Sequence, residues 1–285
     1  MIRLSAFSDE AGNSLQEQIA ALKRNGVSLM EIRNVDGINV KKLTVEQAEA
    51  IQAELEKNGI SVWSVGSPMG KVKLNEEFDF EVYLDEVRHL CKLANVFKTD
   101  KIRMFSFLLA YDKPQQVFSY LNRMVEVAKE YGVELYHENE KKVYGDTMER
   151  VLELMDQVKG LKFVYDPANY LQCGEPSSKT LPVLHGKTDY FHIKDVIFET
   201  GELVPAGHGD GDIERLVSMI QDDKVLTIEP HLAIFDGYAT IDDEKMKNKF
   251  HFSSNNEAFD TAICAIKDVL NKVGYTECEG GFVKQ

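Results

Sequence analysis

The chain has 285 residues, of which 44% are hydrophobic and 28% charged, a composition typical of a soluble domain with a sizeable core. Its formal net charge of −14 opposes binding to nucleic acid or to an anionic membrane, because both need clustered Lys and Arg. No apolar stretch approaches the length that spans a bilayer, and the first residues lack the pattern of a secretory signal. The four cysteines form no CxxC pair, so we expect reduced thiols and a cytoplasmic protein.

Short β-like runs alternate with amphipathic helical stretches along the whole chain. The predicted strands are Ile2–Phe7, Leu29–Arg33, Ile60–Val65, Lys101–Phe105, Val133–Glu138, Lys162–Asp166, Tyr190–Lys194 and Val225–Glu229. The predicted helices are Leu15–Asn25, Val45–Lys57, Phe80–Ala94, Gln116–Tyr131, Thr147–Val158, Ile213–Ile220 and Glu257–Val273. Asn-Gly or Tyr-Gly pairs end several of these helices directly before a strand, which is typical of repeated βα units.

Eight strands in about 230 residues favour a closed barrel over an open doubly wound sheet. The open sheet normally has a glycine-rich phosphate turn after its first strand, and Ser8–Gly12 has no such pattern. We see no linker or second domain. We therefore predict that residues 1–285 form a single α/β domain, a (β/α)8 TIM barrel, with a lid-like loop at about 231–255.

Four consecutive predicted strands carry, at or near their ends, a residue that binds divalent metals. These residues are Glu138, Asp166, His192 and Glu229, separated by 28, 26 and 37 residues, each about one βα unit. The active site of a barrel lies at its C-terminal mouth, so the four side chains should converge. Carboxylates and an imidazole suit Mn²⁺, Mg²⁺, Co²⁺ or Zn²⁺, and the absence of cysteine argues against a structural zinc site.

Longer runs around these residues resemble the xylose isomerase-like TIM barrels, the family of sugar phosphate isomerases and epimerases. The runs are HENEKKVYGDT (137–147), YDPANYLQCG (165–174), FHIKD (191–195), VPAGHGDGDI (204–213) and IEPHL (228–232). The resemblance implies a metal-dependent isomerase of carbohydrate metabolism. It also implies that one divalent ion, Mn²⁺ before the others, is held by Glu138, Asp166, His192 and Glu229.

The chain departs at three positions from the ketose 3-epimerases that it otherwise resembles. Asn169 stands where those enzymes have a His, Tyr144 where they have a Glu, and Phe198 where they have an Arg. The resemblance therefore implies their metal site without their sugar-binding shell. A metal-dependent lyase or dehydratase acting on a keto-sugar or related polyol is the alternative on the same scaffold.

Epimerising or isomerising a carbon next to a carbonyl requires removal of a weakly acidic C–H proton. A divalent ion on the carbonyl and the adjacent hydroxyl stabilises the resulting enediolate by several kcal/mol. We assign Glu138 and Glu229 as the acid/base pair, one taking the proton and the other returning it. Asp166 and His192 are assigned as plain ligands.

Six further residues are candidates for contacts with the substrate: Lys194, His208, Asn169, Lys71, Arg103 and His231. Lys194 is two residues after His192 and so faces the same side of its strand. The alternatives are structural: an ion pair for Lys194 and a surface imidazole for His208. Arg103 should point inward with Glu31 and Arg33, because a charge under the outer helices is costly, and an internal Glu–Arg network is then its alternative role.

Two other classes of protein are weighed against an isomerase. An abasic-site DNA endonuclease of the same superfamily would need three zinc ions, more histidines and a basic face, which the net charge and Asn169 oppose. A non-catalytic sugar-binding barrel would not need an intact set of ligands. We expect a small sugar-like substrate and no nucleic acid or membrane partner, and a homo-oligomer stays open.

Overall fold

Eight parallel strands form a closed barrel in the computed structural model, which describes residues 1–234, 247–248 and 250–284. The strands are β1 (Ile2–Ala6), β2 (Leu29–Ile32), β3 (Ser61–Gly66), β4 (Lys101–Met104), β5 (Glu134–Glu138), β6 (Lys162–Tyr165), β7 (Tyr190–Ile193) and β8 (Lys224–Ile228). Each strand pairs with the next, and β8 pairs with β1 from Ile2 opposite Lys224 to Ala6 opposite Ile228. The predicted single-domain (β/α)8 barrel is confirmed.

Helices alternate with the strands. They are α1 (Leu15–Arg24), α2 (Val45–Lys57), α3 (Phe80–Val96), α4 (Pro114–Glu130), α5 (Met148–Gln157), α6 (Pro167–Gln172), α7 (Ser177–Leu184), α8 (Ile213–Ser218) and α9 (Asn255–Lys272). Ser14 and Thr44 begin α1 and α2 with capping boxes, which satisfy backbone N–H groups of the first turn. None of the described helices is long and apolar enough to cross a bilayer.

Two features lie beyond the predicted elements. No helix was predicted between strands 6 and 7, but α6 and α7 occupy this segment. The helix α6 is too short to show a helical period, and α7 contains Pro182. A hairpin of β9 (Tyr275–Cys278) and β10 (Gly281–Lys284) follows α9 and pairs with β1 at Ile2, at the barrel end opposite the mouth. Of the candidate lid at 231–255, residues 235–246 and 249 lie outside the described residues.

The interior of the barrel changes from apolar to polar along the strands. Below the mouth lies a small cluster of buried side chains, Tyr136, Val164, Tyr190 and Val225. Two residues further along their strands come Glu138, Asp166 and His192. Because successive side chains of a strand point to opposite faces, these three share the inner face with the apolar cluster. The barrel wall therefore aims its polar groups at the mouth.

Two glycines with positive φ allow a test of the loop after β3. A Cβ on Gly70 (φ +87) would lie 2.0 Å from the backbone oxygen of Phe105, whereas a Cβ on Gly59 (φ +71) would have nothing within 4 Å. We expect Gly59→Ala to lower the free energy of unfolding by about 1–2 kcal/mol, from backbone strain. Gly70→Ala should lose about 1–3 kcal/mol more, because the two segments must move apart. Urea unfolding measures both losses of free energy. If the two losses were equal, the Phe105 carbonyl would be able to move away from the new Cβ without an energetic cost.

Candidate metal centre

The four predicted ligands lie together at the carboxyl ends of β5 to β8. Each of Glu138, Asp166, His192 and Glu229 has one ligand atom within 4.8 Å of the others, and all four residues are buried. His192 Nδ1 lies 3.1 Å from Oε1 of Glu138 and 3.3 Å from Oε2 of Glu229. Neighbouring parallel strands end at the same height, so their last side chains meet above the barrel interior.

Asp166 owes its orientation to the helix that it begins. It is the N-cap of α6, where Oδ1 accepts a hydrogen bond from the Asn169 N–H at 2.9 Å and Pro167 takes the first helical position. Its other oxygen, Oδ2, therefore faces β7 and lies 2.9 Å from Lys194 Nζ. The backbone of Asp166 exchanges two hydrogen bonds with the side-chain amide of Asn139, which ties the loop after β5 to β6.

Three atoms of the cluster lack a hydrogen bond. They are buried and have no hydrogen-bond partner with suitable geometry within the described part of the chain, although the two carboxylate oxygens among them lie in ion pairs with Lys194: His192 Nδ1, Glu229 Oε2 and Asp166 Oδ2. A buried polar atom without such a partner costs about 1–3 kcal/mol. Convergence of these atoms with the carboxylate of Glu138 is the arrangement expected around a cation. The donor set, three carboxylates and one imidazole, fits a divalent ion such as Mn²⁺, Mg²⁺, Co²⁺ or Zn²⁺.

Cationic side chains keep the two glutamates of the cluster ionised. Burial alone would raise the pKa of Glu138, but His192 and Arg103 outweigh it and lower that pKa below its usual range. For Glu229, Lys194 and His192 likewise outweigh burial and hold the pKa well below the usual value. Burial wins at Asp166, whose pKa is raised although Lys194 partly offsets it. Glu138 and Glu229 are therefore held as carboxylates, the form that can accept a proton.

Three of the six candidates for substrate contact touch the cluster. Lys194 Nζ lies 2.9 Å from Asp166 and 3.6 Å from Glu229. Asn169 Nδ2 donates to Glu138 Oε1 at 3.2 Å, and Arg103 Nε lies 3.2 Å from Glu138 Oε2. The contacts of Lys194 and Arg103 are the ion pairs named as alternatives, and that of Asn169 is a hydrogen bond. All three place donors beside the oxygens around which a substrate would bind.

Of the other three candidates, His231 also approaches the cluster, and Lys71 and His208 lie further out. Lys71 Nζ donates to Glu140 at 2.8 Å and stands over the Phe105 ring at the mouth. His231 Nε2 is 3.5 Å from Glu229 Oε1. His208 is exposed and its ring packs beside Phe250, and no contact between it and the cluster occurs among the described residues. Of the six candidates for substrate contact, His208 is therefore the one that the structure supports least.

Two buried acids of the site, Asp9 and Glu10, were not predicted from the sequence. They follow β1, and Arg33 binds both, at 2.9 and 3.2 Å, together with Glu229 at 2.7 Å. Their place just after the first strand could have indicated them, as strand ends did for strands 5 to 8. Glu31 was expected to point inward, and it does, but its partner is His192 as well as an arginine.

Comparison with known proteins decides the family. The model of the xylose isomerase-like TIM barrels matches residues 19–244. The chain belongs to this family. The membership inferred from the motifs is thereby confirmed for the xylose isomerase-like TIM barrel. No curated protein matches the chain.

Solved structures share the xylose isomerase-like TIM barrel fold at low sequence identity. The probable 3-DHS dehydratase AsbF of Bacillus anthracis is 17% identical, with a TM-score of 0.71 over 94% of this chain and 99% of its own. An L-ribulose 3-epimerase is 15% identical, with a TM-score of 0.73 over 96% of both chains. The IOLI protein, solved with a zinc atom, is 15% identical, with a TM-score of 0.73 over 95% of this chain and 99% of its own. At this identity the likeness shows the fold.

Proposed function

We propose that the protein is a divalent-metal-dependent isomerase or epimerase of a sugar or sugar phosphate, working by proton abstraction next to a carbonyl. The observation that carries the proposal is the buried cluster at the mouth. There Glu138 and Glu229, both ionised, face His192 Nδ1 from the ends of β5 and β8, with Asp166 beside them. The L-ribulose 3-epimerase among the similar structures supports this reaction class.

The residues of the chain take distinct roles in this proposal. Asp166 and His192 hold the ion, together with Glu138 and Glu229. A bound divalent ion would supply Lewis-acid stabilisation of the negative charge that develops on the oxygens of the substrate. Glu138 ends β5 and Glu229 follows β8, so they lie at the two ends of the ligand set. One can therefore remove the proton from the substrate carbon and the other can return it.

Donors around the cluster would orient the substrate. Lys194 and Asn169 lie within hydrogen-bond distance of the ligand carboxylates, so each can also donate to a substrate oxygen nearby. Arg103 and Lys71 both stand against the Phe105 ring at the mouth. All four are buried or largely so, which limits the access of water to a charged intermediate.

A metal-dependent lyase or dehydratase is the second candidate. Two of the positions that bind free ketohexoses in 3-epimerases carry side chains here that do not contact the cluster. Tyr144 turns its hydroxyl to Glu153, 2.5 Å away, and Phe198 is exposed. A substrate that loses a β-leaving group after proton removal would need the same ions and bases, and the probable dehydratase AsbF has the same fold.

The stoichiometry of the ion should be one per chain. A second group that could ligate a metal, Glu10, Glu229 and His231, lies next to the first. The guanidinium of Arg33 already pairs with two members of this group, at 2.7 Å from Glu229 and 3.2 Å from Glu10. It would repel a metal ion bound there. Three zinc ions per chain would instead favour an abasic-site endonuclease.

Removal of the metal tests the proposal directly. Treatment with EDTA should lower turnover by about 100-fold or more, since Lewis-acid stabilisation is worth several kcal/mol, and Mn²⁺ should restore it. The assay is NMR of a panel of keto-sugars and their phosphates incubated with the protein in D₂O. An epimer or isomer carrying deuterium on the reacting carbon supports the isomerase, and a dehydrated product supports the lyase. Turnover that persists in metal-free protein would contradict both.

A further inference from the structure

The two ring nitrogens of His192 lie in different surroundings. Nδ1 faces the ligand cluster, 3.1 Å from Glu138 and 3.3 Å from Glu229. Nε2 lies on the other side of the ring, 3.2 Å from Oε2 of Glu31 on β2. The second oxygen of Glu31 accepts a hydrogen bond from the Tyr190 hydroxyl at 3.0 Å. A carboxylate from the opposite wall of the barrel therefore reaches the imidazole from behind.

The backbone of β2 is irregular at this carboxylate. The pairing of β2 with β3 shifts between Met30 and Glu31, because Trp63 is an extra residue on β3. Bulges of this kind re-aim a side chain and are frequent next to active sites. The Glu31 side chain is 0% exposed, and Arg103 Nε lies 3.8 Å from its Oε1. Local geometry thus holds the buried carboxylate in place.

Aromatic rings restrict the imidazole on its remaining sides. The Phe7 ring meets His192 edge-on at 5.3 Å between centroids, and the Tyr190 ring does so at 5.6 Å. His192 itself is 0% exposed. Because the ring is enclosed, its orientation is restricted. The group that binds Nε2 therefore determines which nitrogen carries the ring hydrogen and how Nδ1 is directed.

We propose that Glu31 is a positioning residue for the metal ligand His192. A carboxylate accepts hydrogen bonds, so the contact at 3.2 Å requires the ring hydrogen to be on Nε2. When a divalent ion takes the place of the proton on Nδ1, the lone pair of this nitrogen would point into the ligand cluster, and the buried negative charge behind the ring would strengthen it as a donor. The inference rests on the proposed function, because it needs a divalent ion bound at this cluster.

Calorimetric titration of the metal-free protein with Mn²⁺ tests the role of Glu31. Glu31→Gln keeps the size of the side chain and removes its charge, so we expect the dissociation constant for Mn²⁺ to rise about 10- to 100-fold. Activity should return towards the wild-type value at high Mn²⁺, since the defect is one of metal affinity. A side chain that served only stability would not show this rescue.

Glu175→Gln is the matched control. Glu175 is also buried, but it accepts from the Met148 N–H and pairs with Lys179 outside the cluster. The control should therefore bind Mn²⁺ as the wild type does, although it loses the same buried charge.

The outcomes separate this inference from the proposed function. Equal Mn²⁺ affinity of the wild type and Glu31→Gln would overturn the role of Glu31 and leave the proposed function standing. A wild-type protein that binds no Mn²⁺ would overturn both. If Glu31→Gln does not fold, a crystal structure of the Mn²⁺-loaded wild type decides. The ion on Nδ1, with Glu31 at hydrogen-bond distance from Nε2, supports the inference, and the ion on Nε2 overturns it.

Discussion

Glu138→Gln and Glu229→Gln should each lower kcat for epimerisation by about two to four orders of magnitude, the range for loss of a general acid or base. Both carboxylates are buried at the ligand cluster, and the pKa of each lies below its usual range despite burial. An amide in either place cannot accept the proton. Steady-state kinetics at saturating Mn²⁺, with the metal content of each variant measured, separates this loss from weaker metal binding.

Hydrogen exchange with D₂O distinguishes the two carboxylates. If each removes the proton from one epimer, a variant that lacks one carboxylate loses epimerisation but still exchanges the proton that faces the other. Glu138→Gln and Glu229→Gln should therefore exchange opposite epimers, and Glu175→Gln should behave as the wild type. Full turnover in both site variants would refute the acid/base assignment.

Arg33→Met should lower the free energy of unfolding of the metal-free protein by about 3–5 kcal/mol. The guanidinium, 3% exposed, binds Asp9 and Glu10 after β1 and Glu229 after β8. Its removal leaves three buried carboxylates without their main counter-charge, and the cost of breaking a buried ion pair falls on the partners left behind. Burial already raises the pKa of Glu10 with the arginine present. Urea unfolding followed by circular dichroism measures the change.

Arg24→Met provides the comparison for an exposed ion pair. Arg24 lies 2.8 Å from Asp260, and both side chains are at least one third exposed. Water and salt screen such a pair, so its loss should cost less than about 1 kcal/mol. If Arg33→Met were no more destabilising than Arg24→Met, the buried network would not be what stabilises the mouth of the barrel.

The elements of the barrel could be predicted because their signals are local. Tyr136 and Glu138, like Tyr190 and His192, are two residues apart on a strand and therefore share one face, which follows without knowledge of the neighbouring strands. Capping boxes at Ser14 and Thr44 mark helix starts within four residues. The short helices α6 and α7 were missed because one is too short for a helical period and the other contains a proline.

The ligand set could be predicted because four successive strands end at one edge and bear one metal-binding residue each. Strand ends locate only residues at strand ends. His208, a candidate for substrate contact with a surface imidazole as the alternative, lies in a loop, where it is exposed and packs beside Phe250. A loop residue has no strand register to set its position, so sequence spacing does not locate it.

The βα units, the inward face of each strand and the four residues that meet at the mouth can be read from the sequence, because they follow from short-range periodicity and strand order. The contact of Glu31 with His192, 161 residues away, and the position of Arg33 between Glu10 and Glu229 appear only in the folded barrel. Glu31 and His192, like Arg33 and Glu229, come from strands that are not neighbours in the barrel. The tilt and stagger of the strands in the closed barrel determine which inward side chains meet across the interior. A local sequence pattern contains no information about this tilt and stagger.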